Sequence, residues 1–181
     1  MPRPVHVHNG HPRLVPDRRA VAAVIRLLDA HAAEIVGPLT SDLRPLPSGS
    51  RPATLDLRPA PASGPPPGEL SIAFLTGAAL AGLHGRFLDD PSATDVITFA
   101  GDPALGQARE ICLSVDAART FAREHRCDFA AELTLYLVHG WLHLAGHDDL
   151  KPAAKRRMRA AEARAMKLLR RAGALPGFRM K

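Results

Sequence analysis

Hydrophobic and polar residues alternate at Val5-His6-Val7-His8, the period-2 pattern of a strand, and then shift to helical spacing at Val21, Val24, Ile25 and Leu28. The helix predicted from that second pattern has Asp17 in place to cap its N-terminus. From Pro38 to Gly68 the periodicity disappears. Nine of the 17 prolines fall there among Gly and Ser, so the stretch reads as an insertion with at most an edge strand at Thr54-Leu55-Asp56-Leu57.

Regularity resumes at Glu69-Leu70-Ser71-Ile72-Ala73-Phe74-Leu75, a strand followed by a helix over about 78–87. Two β-branched segments come next, Thr94-Asp95-Val96-Ile97-Thr98-Phe99 and Glu110-Ile111-Cys112-Leu113-Ser114-Val115, separated by a loop with Gly and Pro. Helices are predicted over about 116–125 and 129–145, the second capped by Asp128 and striped with Phe129, Leu133, Leu137, Trp141 and Leu144. Glu132, His139 and His143 share a neighbouring face, with Glu132 reading as a residue at the rim of the core. A last helix over about 152–172 carries Ala154, Met158, Ala161, Ala165 and Leu168 at helical spacing. The predicted order describes an α+β chain whose small mixed sheet packs against helices.

Composition narrows the class. At 181 residues and 46% hydrophobic, the chain suits one core. It shows no signal-peptide pattern and no apolar run long enough for a membrane span, so a cytoplasmic location is expected. Cys112 and Cys127 form no CxxC pair or disulfide framework and are assigned no role. His6, His8 and His11, near the N-terminus, read as exposed side chains.

The formal charge of +6 is unevenly placed. Residues 151–181 hold 11 of the 24 Lys and Arg but only one of the 18 acids, Glu162, a local charge of +10 that leaves −4 for the rest. This divides the chain into a body, 1–150, with its Pro-rich insertion at about 38–68, and a basic C-terminal helix and tail, 151–181. Lys155, Arg156, Arg159, Arg164, Lys167, Arg170 and Arg171 put positive charge on the exposed faces of that helix, which suits either a surface attracted to polyanions or a solvated face kept soluble by its charge.

The chemistry concentrates in His139-Gly140-Trp141-Leu142-His143-Leu144-Ala145-Gly146-His147-Asp148-Asp149. Two histidines four apart on a helix can reach one ion, and Gly146 allows the chain to turn back and offer a third ligand, His147 or Asp149. Imidazole and carboxylate suit Zn²⁺, and three protein ligands with an open fourth position are the catalytic arrangement, which points to hydrolysis. Zinc proteases of the HExxH type carry their general base directly after the first histidine, where this chain has Gly140, so a peptidase or amidase is the weaker reading.

HGWLHLAGHDD resembles the HGxLHLxGYDH signature of the YbeY family of bacterial endoribonucleases. Glu69 to Leu75, the segment Leu83-His84-Gly85-Arg86-Phe87, Thr94 to Phe99 and Glu110 to Ser114 resemble that family in the same order, so the likeness covers most of residues 5–150 outside the insertion. It implies a zincin-like α+β fold with one zinc at the end of a central helix. It also implies cleavage of single-stranded RNA in rRNA maturation and ribosome quality control, with rRNA and the ribosome or its small subunit as partners. Carried onto this chain, the metal ligands fall on His139, His143 and Asp149, the last replacing the family's third histidine; His147 stands where the signature has Tyr and is the alternative third ligand. The arginine that the family's LNxxYR segment uses in RNA cleavage aligns with Leu88, which leaves Arg86, two residues earlier, as the candidate for that role. The competing expectation is a ribosome-associated assembly factor in which zinc is mainly structural.

Overall fold

The structure is a computed structural model, and it describes residues 2–37, 64–88, 92–102 and 107–181. Four strands form one sheet in the order β1 (Val5–Asn9), β3 (Leu70–Leu75), β5 (Arg109–Ser114), β4 (Val96–Phe99). The first two pairings are parallel and the last is antiparallel, as in a mixed sheet. A separate antiparallel pair joins β2 (Leu14–Val15) to β6 (Arg179–Met180). The described helices are α1 (Arg18–Ala30), α2 (Ala32–Val36), α3 (Gly77–Leu88), α4 (Val115–His125), α5 (Phe129–Leu144) and α6 (Pro152–Arg171). The fold is therefore α+β, and the expected strand at Thr54–Leu57 lies outside the described residues.

Alternation along the strands decides which helices go where. Leu70, Ile72 and Phe74 of β3 and Ile111 and Leu113 of β5 point to one face, where they join Val21, Val24, Ile25 and Leu28 of α1 in the main core. Leu133, Leu137, Trp141 and Leu142 of α5 and Met158, Ala161 and Ala165 of α6 complete it. On the other face Ala73, Cys112 and Ile97 pack with Leu80 of α3 in a smaller cluster. The basic C-terminal helix is thus part of the same core as residues 1–150.

Helix α5 is apolar on most sides because it packs against β4 and β5 as well as α4 and α6. Asp128 begins it as expected, its carboxylate accepting the Ala131 N–H at 2.8 Å. Asp17 and Ser114 cap α1 and α4 in the same way.

One histidine departs from the expectation of exposure. His6 and His8 are exposed, but His11 is 4% exposed and bridges three elements. Its Nδ1 accepts the Arg13 and Leu14 N–H groups at 3.3 and 3.2 Å, which leaves Nε2 to donate to Asp116 Oδ1 at 3.2 Å. The other Asp116 oxygen accepts the Gly77 N–H at 2.8 Å, joining the starts of α3 and α4.

That Gly77 N–H, with smaller contributions from His11 and Arg119, outweighs burial and holds the Asp116 carboxyl below its ordinary pKa. A depressed carboxyl stabilises the fold above the unfolded pKa of about 3.9 and loses that contribution as pH falls through the native value. The difference in melting temperature between wild type and Asp116→Asn is therefore expected to be largest at neutral pH and to narrow below about pH 4. A gap that stayed constant from neutral to acid pH would show that the charge contributes nothing.

Candidate metal centre

His139 and His143 sit one turn apart near the C-terminus of α5, and the way the helix ends fixes the rest of the site. Gly146 adopts φ +94°, a left-handed value that favours glycine. The Gly146 N–H donates to the His143 carbonyl and the His147 N–H to the Leu142 carbonyl, both at 3.0 Å, which is the Schellman pattern of helix termination. The chain reverses there and returns Asp149 to the two imidazoles. His139, His143 and Asp149 each offer one ligand atom within 4.8 Å of the others.

The hydrogen bonds around the rings decide which atoms face inward. His139 Nδ1 lies 2.7 Å from a Glu162 carboxylate oxygen on α6, and His143 Nδ1 lies 3.1 Å from the His147 carbonyl. Both partners only accept, so both Nδ1 atoms carry hydrogen and donate. The two Nε2 atoms approach each other to 2.9 Å, each 3.9 Å from a different Asp149 oxygen. In the neutral imidazoles these are facing lone pairs beside a carboxylate, an arrangement that repels itself unless a cation or a shared proton lies between them. A divalent ion fits this N,N,O donor set, whose chemistry suits zinc and its neighbours in the first transition row.

The electrostatics agree with this layout. Burial pulls the His139 pKa down, but the hydrogen bond and charge of Glu162, followed by Asp95 and Asp149, outweigh it and leave the value raised. His143 is lowered, first by burial and then by His139. His147 is lowered by burial and by the charges of Arg164 and Arg157.

Of the two residues open as third ligand, the structure brings Asp149 into the cluster and turns the His147 side chain away. His147 is 5% exposed, and it serves the site through its backbone carbonyl. Arg86 is exposed in the last turn of α3, with no hydrogen bond or ion pair to the cluster among the described residues. Leu88 closes α3. Six of the seven basic residues singled out on α6, Lys155, Arg156, Arg159, Lys167, Arg170 and Arg171, are exposed and make no hydrogen bond or ion pair to the cluster among the described residues. The seventh, Arg164, donates to the carbonyls of Ile35 and Val36 at 2.8 and 3.3 Å and so ties α6 to the end of α2. Beside the cluster a cavity of about 290 Å³ opens between the 146–148 turn and the start of α6, with Lys151 and Arg157 in its wall.

Two residues near the site were not singled out by pattern. Asp95, just before β4, adds negative charge felt by His139. Glu162 is the more direct omission. Its signal was present, since it is the single acid of 151–181 and directly follows Ala161 of the buried stripe. Glu132 is 8% exposed, and burial raises its pKa, so it belongs to the edge of the core as expected.

Fold and cluster together define an α+β protein with a candidate site for a divalent cation. A family model described as "Endoribonuclease YbeY" matches residues 56–170. The chain belongs to the YbeY family of endoribonucleases, hydrolases that act on RNA. It is 40% identical over 118 residues to "Endoribonuclease YbeY" of Chlamydia pneumoniae, a match covering 59% of this chain and 73% of that protein. The protein of the same description from Myxococcus xanthus is 35% identical over 100 residues, 52% of this chain and 34% of its own length, so the chain spans about a third of that relative. Among solved structures, TM1509 from Thermotoga maritima, determined in solution, aligns over 94% of both chains with a TM-score of 0.50 and 15% identity, a likeness of fold.

Proposed function

We propose that this chain is a zinc-dependent endoribonuclease that cleaves single-stranded RNA in rRNA maturation and ribosome quality control. The observation that carries the reading is the convergence of His139 Nε2, His143 Nε2 and an Asp149 oxygen, with both Nδ1 atoms held outward. In this reading those residues hold one zinc at the end of α5 in a zincin-like arrangement. When bound, the ion supplies a Lewis acid that polarises a phosphoryl oxygen and makes water acidic enough to ionise near neutral pH.

The protein's own groups supply position and charge. Lys155, Arg156, Arg159, Lys167, Arg170 and Arg171 grip phosphates from α6, and Arg164 contributes by fixing that helix to α2. Arg86 stabilises charge developing on the cleaved phosphate. Residues 1–150 form the nuclease body, and 151–181 add the basic helix that packs on it. The partners are rRNA and the ribosome or its small subunit, and the location is the cytoplasm. No described helix is long and apolar enough to cross a membrane.

Three clustered donors, with the His147 side chain turned away, support an enzyme over an assembly factor whose zinc is structural, since structural sites are usually closed by four protein ligands. The test is cleavage of a single-stranded rRNA fragment by zinc-loaded and by chelator-treated protein. Activity is expected to disappear on chelation and to return with Zn²⁺. Protein that demonstrably contains zinc and does not cleave would transfer the argument to the assembly factor.

A further inference from the structure

The three candidate ligands lie on α5 and the loop after it, yet the outer face of the first is held by a different helix. Glu162 accepts from His139 Nδ1 at 2.7 Å, with the two side chains 17% and 21% exposed. A lone acid on a helix that carries eight Lys and Arg would ordinarily pair with one of them; Glu162 forms an ion pair with His139.

We propose that Glu162 is a positioning residue that completes the metal centre from α6 by fixing the tautomer and donor strength of His139. This rests on the metal reading above. A neutral imidazole can carry its proton on either nitrogen, and an acceptor at Nδ1 assigns it there, leaving the Nε2 lone pair for the ion. An anionic acceptor also makes the ring a stronger donor. The charge balance fits as well: Asp149 and Glu162 offer two negative charges beside two neutral rings, matching a divalent cation. The HGWLHLAGHDD segment is then incomplete by itself. The helix that carries the basic face also carries the group that orients a ligand.

A plain structural strut between α5 and α6 would show the same distance, so the test separates the two. Zn²⁺ affinity is measured by competition with a chromophoric chelator on the full chain, as wild type, Glu162→Ala and Glu162→Gln, alongside melting temperatures. The alanine variant is expected to bind roughly 10- to 100-fold more weakly, and the glutamine variant, which keeps the shape and an acceptor but not the charge, to lose less. Nitrogen NMR of the metal-free proteins at alkaline pH gives a second readout: Nδ1–H for His139 in wild type and a mixture of tautomers in Glu162→Ala. Unchanged affinity in Glu162→Ala would overturn the proposal, as would wild-type His139 carrying its proton on Nε2. A loss in Glu162→Ala that followed melting temperature alone, with Glu162→Gln equal to wild type, would also overturn it in favour of the strut. Failure of the wild type to take up Zn²⁺ would instead remove the metal reading, and the tautomer measurement would still decide whether Glu162 orients the ring.

Discussion

Replacing His143 with alanine is expected to abolish zinc retention and RNA cleavage together while leaving the fold in place. The side chain is half-buried at the end of α5, and its two nitrogens are committed in opposite directions, Nδ1 to the His147 carbonyl and Nε2 to the cluster. Loss of an outer hydrogen-bond partner of a metal ligand costs roughly 10- to 100-fold in affinity or activity, and loss of one ligand of three must cost more. Metal content after gel filtration and cleavage of single-stranded RNA should therefore fall to background in His143→Ala. His8→Ala, at an exposed histidine of β1, serves as the control and should leave both unchanged.

The same series probes the aspartate. Asp149→Ala should release the metal as His143→Ala does. Asp149→His removes one negative charge from the donor set, so its ion should be the stronger Lewis acid and the rising limb of its pH–rate profile should move to lower pH. Retention of zinc and full activity in His143→Ala would refute the ligand assignment, and identical profiles for Asp149→His and wild type would refute the charge argument.

The parts of this fold visible in the sequence are those governed by local periodicity. The limits of α5 follow from Asp128 at one end and Gly146 at the other, and the strand at Arg109–Ser114 follows from the apolar run Ile111-Cys112-Leu113. The His139, His143 pair was visible because helical spacing alone places both rings on one face. Strands of two residues, such as Leu14–Val15, carry no period to read and exist because β6 returns to them from the far end of the chain.

Long-range contacts account for the remaining differences. Nothing near His11 announces that its partner is Asp116, 105 residues away, and a histidine among polar neighbours reads as solvated. Arg164 is basic on a basic helix, and its engagement with Ile35 and Val36 becomes visible only once α6 lies across α2. Spacing alone left His147 and Asp149 both close enough to Gly146 to reach back, and the resemblance favoured Asp149; the turn brings the Asp149 carboxylate to the two imidazoles. Glu162 could have been suspected from composition, but its target depended on how α5 and α6 pack.

Position 140 joins fold and chemistry, and substitutions there should give the largest loss of stability near the site. A Cβ built on Gly140 would stand 2.5 Å from Ile111 Cγ2, 3.1 Å from Val96 Cγ1 and 3.4 Å from Thr98 Cγ2. Ile111 is fully buried in β5, so the methyl met at 2.5 Å is held by the surrounding core and is not the free end of a flexible side chain. Alanine would gain about 1 kcal/mol of helix propensity but incur roughly 1 to 3 kcal/mol of overpacking, a small net loss. Glutamate would add a longer, charged side chain against the apolar Ile111 and Val96 methyls and should lose at least about 3 kcal/mol, or melt roughly 6 to 12 °C lower.

This ordering bears on the peptidase alternative. The glycine that stands where HExxH proteases have their general base is where α5 presses on β4 and β5, so Gly140→Glu cannot install that base without separating helix from sheet. The expected result is a poorly folded variant with no peptide hydrolysis, measured by thermal melting and a peptide-library assay. A Gly140→Glu protein as stable as wild type would show that α5 does not press on β5 this closely at position 140.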